Sequence, residues 1–449
     1  MIVLEGGHVA TVDAEGTEYP DGHVVIDGDS IVAVGAGPAP IQYRDGARHL
    51  DTTGCLITPG LVNTHSHLYQ WLTRGFGTDS TLFGWLNELY PIWARIDAEA
   101  VSAAAAANLG WLALSGCSTS TDHHYVFPHD GGDVLEATIG AALEIGVRFH
   151  PCRGSMDLGQ SSGGLPPDSV VEDREAILIA TEDAIDRWHD PSLAAMTRIA
   201  VAPCSPFSVT AGLMREAAEL ARGKGVRLHT HLAETLDEGQ FCQQKYGKSP
   251  GEYLAELDWL GPDVWLAHCV HLSDSAITDL ADTGTAVAHC PTSNGRLGAG
   301  SARLRELLDA GVAVGLGVDG SASNEAGRLV DELRAAMVVA RLRGGPQSLT
   351  ARETLRLATM GGARCLGREA ELGSLEADKL ADVAVWRLDG LGHAGSVDPV
   401  FCWAFSSSAP LELLLVNGRG VVAEDILLTA DTGRLAREAV AASARVIGR

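Results

Sequence analysis

Residues able to hold a metal ion and move protons recur at the ends of apolar runs in this chain. The first such run closes on His65-Ser66-His67. Period-two alternation turns both imidazoles to one side, about 6–7 Å apart along an extended strand. Alone the pair is a weak signal, since 16 histidines in 449 residues produce such spacing by chance. A fifth run supplies partners in His229-Thr230-His231-Leu232-Ala233-Glu234, and an eighth ends at Asp319 within Gly317-Val318-Asp319-Gly320-Ser321. Two imidazoles, a third from another strand and a carboxylate make a nitrogen and oxygen donor set suited to Zn²⁺ or Fe²⁺, with room left for water. That is the chemistry of metal-assisted hydrolysis. A sixth run ends at His268. Each side chain alone could be a packed histidine or a solvated aspartate; four runs ending in metal-type residues in one register are hard to explain as packing.

Elements that would position these residues follow from the periodicity. Eight apolar runs, at 56–65, 118–124, 147–153, 197–204, 226–232, 264–269, 285–290 and 312–319, alternate with helical stretches. Such repeated βα units predict a closed (β/α)8 barrel, whose active site lies at the C-terminal ends of its strands. The helices carry start signals: Ser249, Pro250 and Glu252, then Thr350 and Glu353, fit capping boxes. The first 57 residues are short β-type runs with Gly/Asp turns, and the same texture returns in LADVAVWRLDG (380–390) and LELLLVNGRGVVAEDILL (411–428). The two ends are therefore expected to pair into one sheet module.

Composition narrows the partners. A chain that is 46% hydrophobic and 20% charged, with 52 Gly and 18 Pro, can bury a large core and is globular. Its 33 basic and 58 acidic residues give a net charge of −25, which repels phosphate backbones and anionic membranes. No basic segment followed by an apolar one opens the sequence, and the most apolar long stretch, 101–114, is mostly alanine broken by Ser102 and Asn108. Nine scattered cysteines without a CxxC pair point to reduced thiols and a cytoplasmic protein. Gly315-Leu316-Gly317-Val318-Asp319-Gly320 matches GxGxxG, but no acidic residue ends a second strand about 20 positions later, so a dinucleotide site is not expected. HExxH and Walker motifs are absent.

The segments PGLVNTHSH (59–67), LHTHLAE (228–234), LAHCVHL (266–272) and GLGVDGSASN (315–324) together resemble the signature segments of the amidohydrolase superfamily, in its mononuclear deaminase and chlorohydrolase branch. The resemblance spans nearly the whole chain. It implies an α/β fold, a TIM barrel over 58–369 with a small β-sandwich from 1–57 and 370–449, the latter including a C-terminal helix. It further implies that His65, His67, His231 and Asp319 ligate one divalent metal, Zn²⁺ or Fe²⁺, and that Glu234 and His268 are catalytic without being ligands. No lysine ends the third or fourth run, so the bridging carboxylated lysine of two-metal relatives is missing. A divalent ion acidifies the water it binds. Asp319 is expected to take a proton from that water and later protonate the departing ammonia. Glu234 would move a proton to the neighbouring ring nitrogen, and His268 would hydrogen-bond the developing tetrahedral oxygen.

Gln70 and Trp71 follow the first run; an amide suits the edge of an amino-oxo heterocycle, and an indole can wall its ring. QWLTR (70–74), LYPIW (89–93), STDHHYVFP (120–128), RGSM (153–156) and PCSPFS (203–208) look most like the 8-oxoguanine deaminase group. That likeness implies hydrolysis of the 2-amino group of a free oxidised purine, giving urate and ammonia, with His123 and Cys204 as candidate contacts to the purine carbonyls. Alternatives are guanine, isoguanine or another aminopurine or pyrimidine, or a hydroxyatrazine-type s-triazine; the retained Asp319 favours ammonia or an amine as leaving group. A silent scaffold barrel is disfavoured by the complete ligand set and Glu234. The expected partner is a small heterocyclic base, with neither nucleic acid nor membrane, and a homo-oligomer is expected.

Overall fold

The structure is a computed structural model that describes residues 1–406 and 408–448. Eight parallel strands close a barrel: β1 (Leu61–Asn63), β2 (Cys117–His124), β3 (Arg148–Ser155), β4 (Ala200–Pro203), β5 (Arg227–Leu232), β6 (Val264–His268), β7 (Ala286–His289) and β8 (Val314–Leu316). Each of the eight apolar runs overlaps one barrel strand, the second strand beginning one residue before its run and the third ending two residues after its own. The expected capping boxes at Ser249 and Thr350 are both formed. The alanine-rich stretch lies in a helix, Ala98–Ala113, and no helix among the described residues is long and apolar enough to cross a membrane. All nine cysteines are free and buried.

The first run divides between two sheets. Its Cys55–Pro59 half belongs to the terminal sheet, where it pairs antiparallel with Val383–Arg387 and parallel with Ile2–Ala10. Only Leu61–Asn63 enters the barrel. Gly60 makes the passage: a Cβ there would stand 2.4 Å from Ser118 Oγ, so only glycine lets the chain cross against β2. Both halves are buried, and an apolar run carries no mark of which sheet buries it. Beyond β1, Ser66–His67 pairs in parallel with Asp319–Gly320, which zips the ends of the first and eighth strands together at the barrel mouth.

The terminal sheet has nine strands drawn from both ends of the chain, as the sequence texture indicates. It is tied to the barrel through a buried ion pair: Arg148, opening β3, donates to Asp382 at 3.0 Å and also to the Asn417 side chain. Asp382 in turn accepts from the Asn417 N–H at 2.9 Å, and its carbonyl accepts from Gly60. The C-terminal helix, Thr432–Ile447, packs on the barrel helix Ala98–Ala113 and on the turn Leu68–Thr73, where Ser443 donates to the Leu72 carbonyl at 2.6 Å.

Removing one partner of a buried pair strands the other charge, which costs about 3–5 kcal/mol, whereas replacing both costs far less. Asp382→Ala is therefore expected to lower stability by that amount in urea unfolding, and Arg148→Met/Asp382→Ala to recover much of it. A single-variant loss of less than about 1 kcal/mol, the scale of an exposed pair, would show that the sheet is held to the barrel by other contacts.

Candidate metal centre and active site

Hydrogen bonds fix which nitrogen of each imidazole carries a proton. His67 donates from Nδ1 to the His123 carbonyl at 2.6 Å, and His231 donates from Nδ1 to the Cys204 carbonyl at 2.6 Å. His229 donates from Nδ1 to the Trp265 carbonyl, leaving its Nε2 to accept from His65 Nδ1, both at 2.8 Å. The Nε2 atoms of His65, His67 and His231 are thus all bare lone pairs. Those of His67 and His231 face each other at 3.1 Å, where neither can donate, and that of His65 is buried with no hydrogen-bond partner. Asp319 Oδ1 lies 3.4 Å from His65 Nε2 and 3.3 Å from His67 Nε2. Lone pairs and a carboxylate oxygen converging without a proton between them repel unless a cation sits among them. The donor set fits a divalent metal.

Electrostatics point the same way. Burial holds the three imidazoles below their usual pKa, His67 down to about 3, so they are neutral donors at pH 7. Burial alone would raise Asp319, but the surrounding imidazoles, His65 and His268 foremost, hold it well below the usual carboxylate range. Its other oxygen, Oδ2, accepts from the Ser293 and Ser323 hydroxyls, and Oδ1 accepts from the Gly320 N–H at 2.7 Å. Asp319 and His268 both have left-handed backbones, φ of 64° and 71°, sparsely populated for L-residues and concentrated at functional sites.

His268 donates from Nδ1 to Asn294 Oδ1 at 3.0 Å, which turns Nε2 toward Glu234, 3.6 Å away. Burial pulls this imidazole down, but the carboxylates of Glu234 and Asp319 outweigh it and hold its pKa above the usual value. Glu234 is buried, and desolvation pushes its carboxyl up to about 7. Neighbouring Glu238 accepts from the Ala233 and Glu234 N–H groups at 2.7 and 2.9 Å and so fixes the backbone that presents Glu234.

Gln70, Cys204, Glu234, His268 and Asp319 line one pocket with His67 and His231, walled by Trp85, Tyr90, Tyr125 and Phe207. Gln70 Oε1 is buried without a partner, and Gly320 makes room for it, since a Cβ there would stand 1.8 Å from that oxygen. Asp122 holds the Gln70 turn by accepting from the Leu68 N–H at 2.8 Å. Burial pushes the Cys204 thiol up to about 12, so it faces the pocket as a neutral group.

Two expected substrate contacts lie elsewhere. Trp71 sits on the outer side of a 3₁₀ turn, in which successive residues rotate by about 120°. With Gln70 inward, Trp71 is turned toward a separate cavity of about 790 Å³ under the C-terminal helix, with the Arg74 guanidinium 4.3 Å from its ring centroid. His123 is absent from the pocket wall: it donates from Nε2 to the Ala202 carbonyl at 2.8 Å and stacks 4.7 Å from the His231 ring, inside the barrel. Its bare Nδ1 has no partner, and a nitrogen of this ring lies within 4.8 Å of those of His65, His67 and His231.

Sequence reading gave no orienting role to His229, Ser293, Asn294 or Ser323, which brace the candidate ligands and catalytic groups. Ser293 and Asn294 are adjacent on the short helix Pro291–Arg296 that follows β7, and hold Asp319 and His268 respectively. The polar Thr-Ser-Asn just past the seventh run was the available signal. His229→Leu, unable to accept from His65, is expected to weaken metal retention by about 10–100-fold in chelator competition. His229→Gln, which keeps an acceptor, should lose less. Unaltered retention in the leucine variant would mean that His65 needs no such partner.

Comparison with known proteins agrees with this geometry. The Amidohydrolase family model matches residues 56–422. An 8-oxoguanine deaminase of Pseudomonas aeruginosa is 43% identical over 98% of both chains, and an isoxanthopterin deaminase of an unknown prokaryote is 37% identical over 97% of this chain and 94% of that one. The zinc-complexed atrazine chlorohydrolase TrzN of Arthrobacter aurescens TC1 superposes with a TM-score of 0.94 at 36% identity, covering 99% of this chain and 100% of that one. With its barrel, its donor set and this breadth of similarity, the chain belongs to the amidohydrolase family.

Proposed function

We propose that this enzyme hydrolyses 8-oxoguanine, with water, to urate and ammonia. The observation that carries the reading is the meeting, in one buried pocket, of a divalent-metal donor set with a carboxyl poised near neutrality, Glu234, and an imidazole, His268, turned toward it. The 43% identity to an 8-oxoguanine deaminase supports the choice of base.

His65, His67, His231 and Asp319 would hold one divalent ion, zinc as in the structural neighbour, which supplies Lewis acidity and acidified water. Asp319, held by two serine hydroxyls, takes a proton from the attacking water and returns it to the leaving amine. Glu234 gives a proton to the ring nitrogen beside C2 as oxygen adds there, and regains one as the carbonyl forms. Its pKa near 7 lets it do both. His268 hydrogen-bonds the oxygen on the tetrahedral carbon, where charge develops. Gln70 accepts from a ring N–H through its unpartnered Oε1. Ammonia departs, and the ring is left as the oxo product.

Nine buried free thiols support a cytoplasmic setting. Exposed Val440, Ile426 and Leu428 near the C-terminal helix support self-association, which light scattering would measure.

Steady-state release of ammonia from 8-oxoguanine, guanine, isoguanine and cytosine, and of alkylamine from hydroxyatrazine, should rank 8-oxoguanine first by kcat/KM; a different leader would replace the substrate and leave the reaction class standing. Glu234→Gln should keep its metal and lose turnover by at least about a hundredfold. Near-normal turnover would remove it as the proton carrier. Gln70→Leu should raise KM more than it lowers kcat if the amide serves binding.

A further inference from the structure

At the opposite, N-terminal end of the barrel lies a second polar cavity, of about 270 Å³, lined by His150, His189, Arg198 and Arg227. Arg227 opens β5. Its Nε donates to the Cys365 carbonyl at 3.0 Å, and its two terminal nitrogens make no hydrogen bond or ion pair among the described residues. Of the carboxylates near it, Asp263 is engaged by Arg222 at 2.9 Å, and Glu369 is exposed at the surface and makes no hydrogen bond to Arg227. Arg198 places one terminal nitrogen on the Ser192 carbonyl and Glu371, both at 2.7 Å, while its buried Nε has no partner. Behind them Arg148 and Arg368 are fully buried.

Among the buried groups of this cluster the charges do not balance. Four guanidinium groups face two buried carboxylates, Asp382 paired with Arg148 and Glu371 shared by Arg198 and Arg368. Asp190, at the rim, is exposed and accepts from the Ser192 N–H. Burial, and then all four arginines, push the His150 imidazole well below its usual pKa, so it stays neutral amid positive charge. Excess cation inside a chain of net charge −25 is a local feature with unused donors. Guanidinium presents paired N–H groups in a plane that matches two oxygens of a carboxylate or phosphate.

We propose that this cavity is a binding site for a compact oxyanion, a phosphate or carboxylate group, held by the free terminal nitrogens of Arg227 in the positive surroundings of the other three guanidinium groups. It lies across the barrel from the metal centre, among residues that begin strands, and takes no part in the chemistry there.

The test is thermal unfolding of the metal-loaded full chain at constant ionic strength, titrated with inorganic phosphate and, separately, with succinate. A ligand that binds only the folded state raises Tm saturably. The expected result is a saturable rise with one or both anions, and apparent affinity at least about tenfold weaker in Arg227→Gln. Turnover measured without either anion should be unchanged in that variant. The relative rises with the two anions tell a phosphate site from a carboxylate site. Should Arg227→Gln fold poorly, Arg227→Lys and His189→Ala are read the same way, with weakened binding expected in both. No saturable rise with either anion, or a rise equal in wild type and variants, overturns the proposal; the latter would locate the anion elsewhere, including on the metal.

Discussion

Three imidazole lone pairs and a carboxylate oxygen are aimed at one point, and without a cation between them they repel. The rest of the catalytic end of this barrel can be understood as what keeps them there. Each ligand ring is locked by a donated hydrogen bond: His67 and His231 to backbone carbonyls, His65 to His229, which is itself fixed by the Trp265 carbonyl. The backbone acceptors lie on or just past neighbouring strands, and His229 reaches His65 from the opposite side of the barrel, so the closed barrel itself holds the rings in place. A preformed site of this kind loses little freedom when its ion binds, and the tautomer that binds it is already selected.

The same economy extends to the groups proposed to move protons. Asp319 is braced by Ser293 and Ser323, and His268 by Asn294, so one short helix after β7 orients two of the proposed catalytic side chains through adjacent residues. The left-handed backbones of Asp319 and His268 are tolerated because these bonds over-determine them. Burial then separates the carboxyls by environment. Asp319, surrounded by imidazoles, stays ionised, while Glu234, with less compensation, sits near neutrality. Two like groups acquire different roles from their neighbours alone.

Much of the architecture was legible because barrel strands must be apolar and their ends need not be. Each of the eight strands coincides with or overlaps a run visible in the sequence, and the polar residues closing the runs mark the mouth. Legibility failed where burial is the same on both sides of a boundary. The run at 56–65 is one stretch of apolar letters but two strands in two sheets, with Gly60 as the crossing. It failed again at Trp71 and His123, where proximity to a strand end was read as access to the pocket. A 3₁₀ turn faces Trp71 outward, and the inward pleat of β2 sets His123 within the barrel against the His231 ring.

The residue types at the strand ends, their period-two spacing and the alternation of apolar runs with capped helices belong to the sequence, because local chemistry and periodicity are written in neighbouring letters. They determined the barrel, the metal-type donors and the presence of Glu234 and His268 beside them. Which nitrogen of each ring is bare, which serine and asparagine brace the catalytic groups, which face of the Gln70 turn meets the pocket, and the surplus of arginine at the far end were decided only by tertiary structure. The physical reason is that each of these depends on hydrogen bonds or charges between residues as much as 269 positions apart, as for Arg148 and Asn417, and no local pattern encodes a partner at that distance.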